Sequence, residues 1–224
     1  MTSVDPYDNR GASFGPYSAD YAPSGSRKML LDLVPQGSRV LDVGCWTGYN
    51  ARYLAQRRCH TVGLEGDPKA ARLAMAHCTE VLVGNLEDPS RFKPGPVDAI
   101  LLLDVLEHLS SPDQLLNACR TWGPTAQLFV SIPNVVHWTI RKAVLLGHWE
   151  YQDTGILDRG HLRFFTPSSA RRLIEDAHYK ITWSDVSHGS VPLVNLPKSL
   201  LQTMARRWPA LLSVQSLFVA SPAQ

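Results

Sequence analysis

Apolar residues along the chain fall into two alternating rhythms. Short β-prone runs predict strands at Val40–Val43, His60–Glu65, Glu80–Leu86, Val97–Leu103, Gln127–Pro133, Lys180–Trp183 and Ser213–Val219. Between them, helix-compatible segments cover Ser26–Leu33, Tyr49–Gln56, residues 68–77, a stretch opening at Ser111, residues 166–177 and Lys198–Trp208. Asp67-Pro68, Ser111-Pro112 and Thr166-Pro167 are start signals. In each, a capping side chain precedes a proline whose missing N–H costs nothing in a first turn. Val97–Leu103 is a nearly unbroken apolar run, as expected of a parallel strand covered on both faces. Strands alternating with helices predict a doubly wound α/β sheet with right-handed crossovers. In the last helix Leu200, Leu201, Met204 and Trp208 share one side, which points to core packing, with a membrane-surface or lid role as the alternative.

The stretch Val40-Leu41-Asp42-Val43-Gly44-Cys45-Trp46-Thr47-Gly48 organises this pattern. It reads as a buried strand, a glycine turn and a helix, the opening of a nucleotide-binding unit. Glycine lets main chain approach a ligand where a Cβ would collide. The dinucleotide fingerprint has glycine at its first, third and sixth places. Here Asp42 holds the first place, and Gly48 lies four residues beyond Gly44. A carboxylate aimed at the turn repels a pyrophosphate and suits a ligand with a cationic amino-acid end, which argues against a nicotinamide dinucleotide. Glu65 ends the next strand about twenty residues on, where an acid can accept from both ribose hydroxyls.

Composition narrows the choice. At 224 residues and 44% hydrophobic the chain suits one domain, 1–224, with residues 1–24 as an irregular arm rich in Tyr, Pro, Gly and Ser. A net charge of +2 with scattered Lys and Arg gives no polyanion-binding surface, so no nucleic acid is expected. No apolar run is long enough to cross a bilayer, and the polar start Met1–Asp5 is unlike a secretory signal, so no membrane is expected. Cys45, Cys59, Cys78 and Cys119 are widely spaced, as for reduced thiols in a cytoplasmic protein.

Asp42, Gly44, Cys45 and Gly48 together resemble motif I of class I S-adenosylmethionine-dependent methyltransferases. The segment from Pro133 through Arg141 to Phe165-Thr166 resembles MetW-like proteins and their methyltransferase relatives. That resemblance implies a Rossmann-like, seven-stranded, mostly parallel sheet with an antiparallel last strand, helices on both faces, and a substrate-lid insert at 134–166 after the fifth strand. It implies S-adenosylmethionine as cofactor, held by Asp42, Gly44, Cys45, Gly48 and Glu65, with Asn85 and Leu86 at the adenine, Asp104 at a strand end, and Tyr17 and Tyr21 folding over the ligand. A loose tail with surface tyrosines is the alternative for the last two.

The implied reaction is methylation of a small-molecule acceptor, with oxygen as the expected site and a biosynthetic tailoring pathway as the context. Two alternatives stand beside it: a non-catalytic MetW-like partner of a biosynthetic enzyme, and a metal-dependent RNA 2′-O-methyltransferase. A hydroxyl acceptor needs a base, and histidine suits neutral pH. The candidates are His108, His137 and His161; His137 serves either as base or as a ring stacked on Trp138. Asp104, Glu107 and His108 have the spacing of one helical face, and with His161 resemble the ligand set of metal-dependent small-RNA methyltransferases. A buried structural His108 is the preferred reading there, and no metal is expected. Arg141 and Arg163 bind an anionic substrate group or form surface salt bridges. Trp138, Trp149, Tyr151, Phe164 and Phe165 wall an acceptor or fill the lid core.

Overall fold

The computed structural model describes residues 23–188 and 197–223. Its strands are β1 (Arg39–Val43), β2 (His60–Glu65), β3 (Glu80–Val83), β4 (Ala99–Leu103), β5 (Gln127–Pro133), β6 (Tyr179–His188) and β7 (Ser213–Pro222). The helices are α1 (Gly25–Leu33), α2 (Tyr49–Ala55), α3 (Pro68–Ala74), α4 (Pro112–Trp122), α5 (Trp138–Leu145), α6 (Pro167–Asp176), α7 (Lys198–Arg207) and α8 (Pro209–Leu212). The strands form one sheet in the order β3-β2-β1-β4-β5-β7-β6. β7 runs antiparallel to both of its neighbours, and the remaining pairings are parallel.

Alternating side chains divide between two cores. Leu41, Ile100, Leu102, Leu128 and Val130 pack on one face with Leu115, Leu116 and Cys119 of α4 and Ile174 of α6. Val40, Leu101, Leu103 and Phe129 pack on the other with Leu30 and Leu31 of α1 and Leu54 of α2. Burial on both faces explains why Val97–Leu103 carries no polar alternation. The strand order reverses between β1 and β4, so a crevice opens beyond their carboxyl ends.

Several boundaries move for physical reasons. β6 and β7 are longer than their apolar runs because they pair with each other over Tyr179–His188, through irregularities at Ile181/Trp183 and Ser187/His188. The stripe expected on α7 does not all pack: Leu200 and Trp208 are exposed, Ala205 is buried, and Gln202 and Arg206 instead grip the Asp185 carboxylate. Asp104, Glu107 and His108 do not share a helical face. Asp104 has φ of 60°, and only Leu106–His108 makes a short 3-10 turn. Among the described residues, no helix is long and apolar enough to cross a membrane. Tyr17 and Tyr21 lie outside the described residues.

Candidate active site

The crevice begins with the loop after β1. Gly44 N and Cys45 N both donate to Leu64 O, and Gly48 N closes the turn onto Cys45 O. Gly44 and Gly48 have φ of 67° and 81°, conformations that favour glycine. A Cβ on Gly48 would lie 3.1 Å from Ala74 Cα, so the loop and the end of α3 leave no room for a side chain. Below the loop Asp42 is buried, and Asn50 Nδ2 donates toward both of its oxygens at 3.2 Å. Burial pushes the Asp42 carboxyl up to about 7, against the pull of Asn50 and Arg27.

Glu65 faces the loop from the tip of β2. Its Oε2 accepts from Trp46 N and its Oε1 from Asp67 N, each at 2.8 Å. Burial raises this carboxyl, while those backbone donors act in the opposite direction. Asp67 then caps α3 by accepting from Lys69 N and Ala70 N. Gly44, Trp46, Tyr49, Glu65, Asn85, Leu86, Asp104 and His108 are among the residues lining a cavity of about 340 Å³. Asn85 Oδ1 accepts from Glu87 N, which fixes the amide at the rim. Cys45 is buried beneath the loop, and its sulfur does not line the cavity.

Asp104 anchors a network that its sequence position does not reveal. It accepts from Arg27 and Ser131 at 2.8 Å and from Gln215 at 2.7 Å. The Arg27 guanidinium also sits 5.3 Å from the centroid of the Tyr49 ring. Arg27 thus joins the tip of β4 to the start of α2, beside the loop. Lone arginines carry no motif, and the packing of α1 against β5 and β7 brings this one here.

A second cavity, about 260 Å³, adjoins the first, with Asp104 and His108 lining both. Glu107, Ile156, Asp158 and His161 complete much of its wall, and the insert after β5 supplies four of its ten lining residues. His108 Nδ1 donates to Gly160 O at 2.9 Å and His161 Nδ1 to Ile156 O at 3.0 Å. Each neutral ring therefore carries its lone pair on Nε2. His161 Nε2 lies 4.0 Å from Glu107 Oε1. Glu107 is buried, and neither of its oxygens has a hydrogen-bond partner among the described residues. Burial, and then the Asp104 charge, raise its carboxyl well above the usual range. Glu107, His108 and His161 each offer a ligand atom within 4.8 Å of the others, and Asp104 is not in that group.

Other candidates lie elsewhere. His137 lines neither cavity. It precedes α5, bonds Thr139 Oγ1 through Nδ1 at 2.8 Å and sits 5.9 Å from the Trp138 ring, and burial lowers its pKa. Arg141 donates to Val136 O and Ala210 O, and Arg163 to Ser110 O. Phe164 packs against Trp149 and Tyr151 on the outer side of the insert.

A glycine turn after β1, an acid at the tip of β2 and a crevice at the strand reversal define a nucleoside-binding α/β protein. Comparison sharpens this. The profile of a family described as a methyltransferase domain matches residues 19–183. A ubiquinone biosynthesis O-methyltransferase of Cupriavidus pinatubonensis is 30% identical over 177 residues, 69% of this chain and 70% of that protein. One from Xylella fastidiosa is 33% identical over 131 residues, and there the chain spans about half of its relative, 53%. An S-adenosylmethionine-dependent methyltransferase of Mesorhizobium loti superposes with a TM-score of 0.64 at 15% identity, covering 91% of this chain and 100% of that one. The magnesium protoporphyrin IX methyltransferase of Synechocystis, solved with bound SAH, superposes at 0.58 and 15% identity, covering 88% and 79%. The chain belongs to the class I S-adenosylmethionine-dependent methyltransferases.

Proposed function

We propose that the protein transfers a methyl group to a hydroxyl of a small-molecule acceptor in a biosynthetic pathway. The observation that carries this reading is the pair of adjoining cavities, one over the glycine loop and Glu65, the other walled by Glu107, His108 and His161. The names of the relatives agree with it. The residues fit the cofactor: Gly44 lines the larger cavity without a side chain of its own, and Glu65 keeps acceptor capacity beyond its two backbone donors. Glu65 would take the ribose hydroxyls, Asp42 and Asp104 would favour an ammonium, Arg27 a carboxylate, and Leu86 would flank the base. S-adenosylmethionine, when bound, supplies an electrophilic methyl group. The chain's own work is to align the acceptor, exclude water and accept the hydroxyl proton. His161 Nε2 is the proposed base, since Ile156 O fixes its tautomer and the ring lines the small cavity. Incubating the protein with phenolic and sugar-like acceptors and the cofactor, and reading methylated product by mass spectrometry, tests this. His161→Gln should abolish most of the product.

The buried Glu107 carboxylate favours a second reading of the same site. An ionised carboxylate without hydrogen bonds is costly in a buried position. Two imidazoles fixed by carbonyls, with Nε2 turned away from them, are a common metal-ligand arrangement. Glu107, His108 and His161 would then hold a divalent cation, which lowers a hydroxyl's pKa and orients it. Titration of Mn²⁺ into the ligand-free protein should give one site that Glu107→Gln removes. No heat in the wild-type titration returns the role to His161 alone.

A further inference from the structure

Two of the thiols meet beneath the cofactor loop. Gly63, mid-strand in β2, is paired in register with Asp42. A Cβ at Gly63 would lie 2.6 Å from Cys45 Sγ and 3.1 Å from Cys78 Sγ, so both sulfurs occupy the space this glycine leaves over the strand. Cys45 Sγ donates toward Trp46 O, and the neighbouring Cys78 thiol, followed by burial, holds the Cys45 thiol well above its ordinary range. Cys45 is buried, whereas Cys78, in the turn between α3 and β3, is partly open to solvent. Cys59 and Cys119 are buried elsewhere, Cys59 against Pro35 O and Arg57 O and Cys119 on the core side of α4.

We infer that Cys45 and Cys78 form a reversible disulfide that loosens the cofactor loop on exposure to a hydroperoxide, an inference that rests on the reading of Gly44–Gly48 as the cofactor cradle. The accessible Cys78 thiolate attacks the outer peroxide oxygen. A sulfur–oxygen bond forms, the O–O bond breaks, and the remaining oxygen leaves as alcohol or water. The Cys45 sulfur then attacks the Cys78 sulfenic acid. The S–S bond forms, the S–O bond breaks, and water departs with the Cys45 proton. In sum, two thiols lose two hydrogens and one hydroperoxide is reduced.

The consequence follows from what each sulfur is tied to. A disulfide needs sulfurs about 2.05 Å apart, much closer than two thiols in contact. Cys45 precedes Trp46, which holds φ of 51° and donates its N–H to Glu65. On the other side, Cys78 N donates to Ala74 O, the same carbonyl that crowds Gly48. Drawing the sulfurs together therefore displaces Trp46 from Glu65 or Ala74 from Gly48, and both contacts shape the cradle.

The test uses the full chain, treated with graded hydrogen peroxide, alkylated and mapped by non-reducing peptide mass spectrometry. S-adenosylhomocysteine affinity is titrated before oxidation, after it, and after dithiothreitol. The expected result is one Cys45–Cys78 disulfide and a loss of affinity of roughly tenfold or more, restored on reduction. Cys78→Ser should bind as the reduced wild type does and ignore peroxide. Alkylation of both thiols after peroxide, or a disulfide with unchanged affinity, overturns the switch. Reduced Glu65→Ala, titrated alongside, keeps the two readings distinguishable. Unchanged affinity there overturns the cradle and the switch with it, whatever the mapping shows.

Discussion

The Glu65 carboxylate accepts the main-chain N–H of Trp46 at 2.8 Å, so the acid at the tip of β2 and the glycine loop after β1 form one rigid unit. A second donor, Asp67 N, holds the other oxygen at the same distance. Glu65 therefore shapes the site besides lining it. Glu65→Gln puts an amide donor against one of these N–H groups. It should lower stability by about 1–3 kcal/mol and weaken the cofactor as well. Urea denaturation with and without S-adenosylhomocysteine measures both effects. A variant as stable as wild type would show that the two hydrogen bonds contribute nothing.

Asp42 should trade stability for binding. Its folded pKa is about 7, above the ordinary carboxylate value. The unfolded chain thus releases this proton first as pH rises. This term is favourable at low pH and lost between about pH 4 and pH 7. Asp42→Asn removes that loss and offers a donor to Asn50 Oδ1, which is buried without a partner. The ligand-free variant should melt higher than wild type at pH 8, with a smaller difference at pH 5, while binding the cofactor more weakly. A lower melting point at pH 8 would contradict the assigned cost of the ionised form.

The histidines should separate by rate. His161→Gln is expected to lower kcat by about 10²–10⁴-fold while leaving cofactor affinity unchanged. His137→Gln, outside both cavities, should leave kcat near wild type. Steady-state kinetics with the acceptor found by product screening decides this. Equal losses in both variants would contradict the assignment of the base to His161.

Gly48 should tolerate no side chain. With φ of 81° and a Cβ position 3.1 Å from Ala74 Cα, Gly48→Ala combines a strained conformation with a backbone clash. A loss of about 1–3 kcal/mol is expected from the conformation alone. A shifted urea midpoint with an unchanged slope measures it. An unshifted midpoint would mean that the loop relaxes freely.

The sheet was largely legible in the chain, because Val40–Val43, residues 61–65 and Ala99–Leu103 are buried on both faces and their sequences record it. Edge and antiparallel strands were harder. β6 is extended by pairing with β7, a partnership that its apolar run does not reveal. Gly44 and Glu65 line the larger cavity and their places were readable, because a fixed spacing along one βαβ unit sets their geometry, whereas Asp42 and Gly48 lie behind its wall. Glu107, His108 and His161 were partly readable, since contact across 52 residues, between His108 and Gly160, brings the turn and the insert together. The supposed helical face failed at Asp104, whose left-handed backbone turns its carboxylate to Arg27. Nothing local marks Arg27. Its place comes from the way α1 crosses the sheet.

The most direct measurement is calorimetric titration of S-adenosylhomocysteine into wild type, Asp42→Ala and Glu65→Ala at one pH and salt concentration. One site per chain in wild type, with affinity reduced roughly tenfold or more in each variant, is the predicted result. Undiminished affinity in both folded variants would contradict the placement of the nucleoside between the β1 loop and the tip of β2.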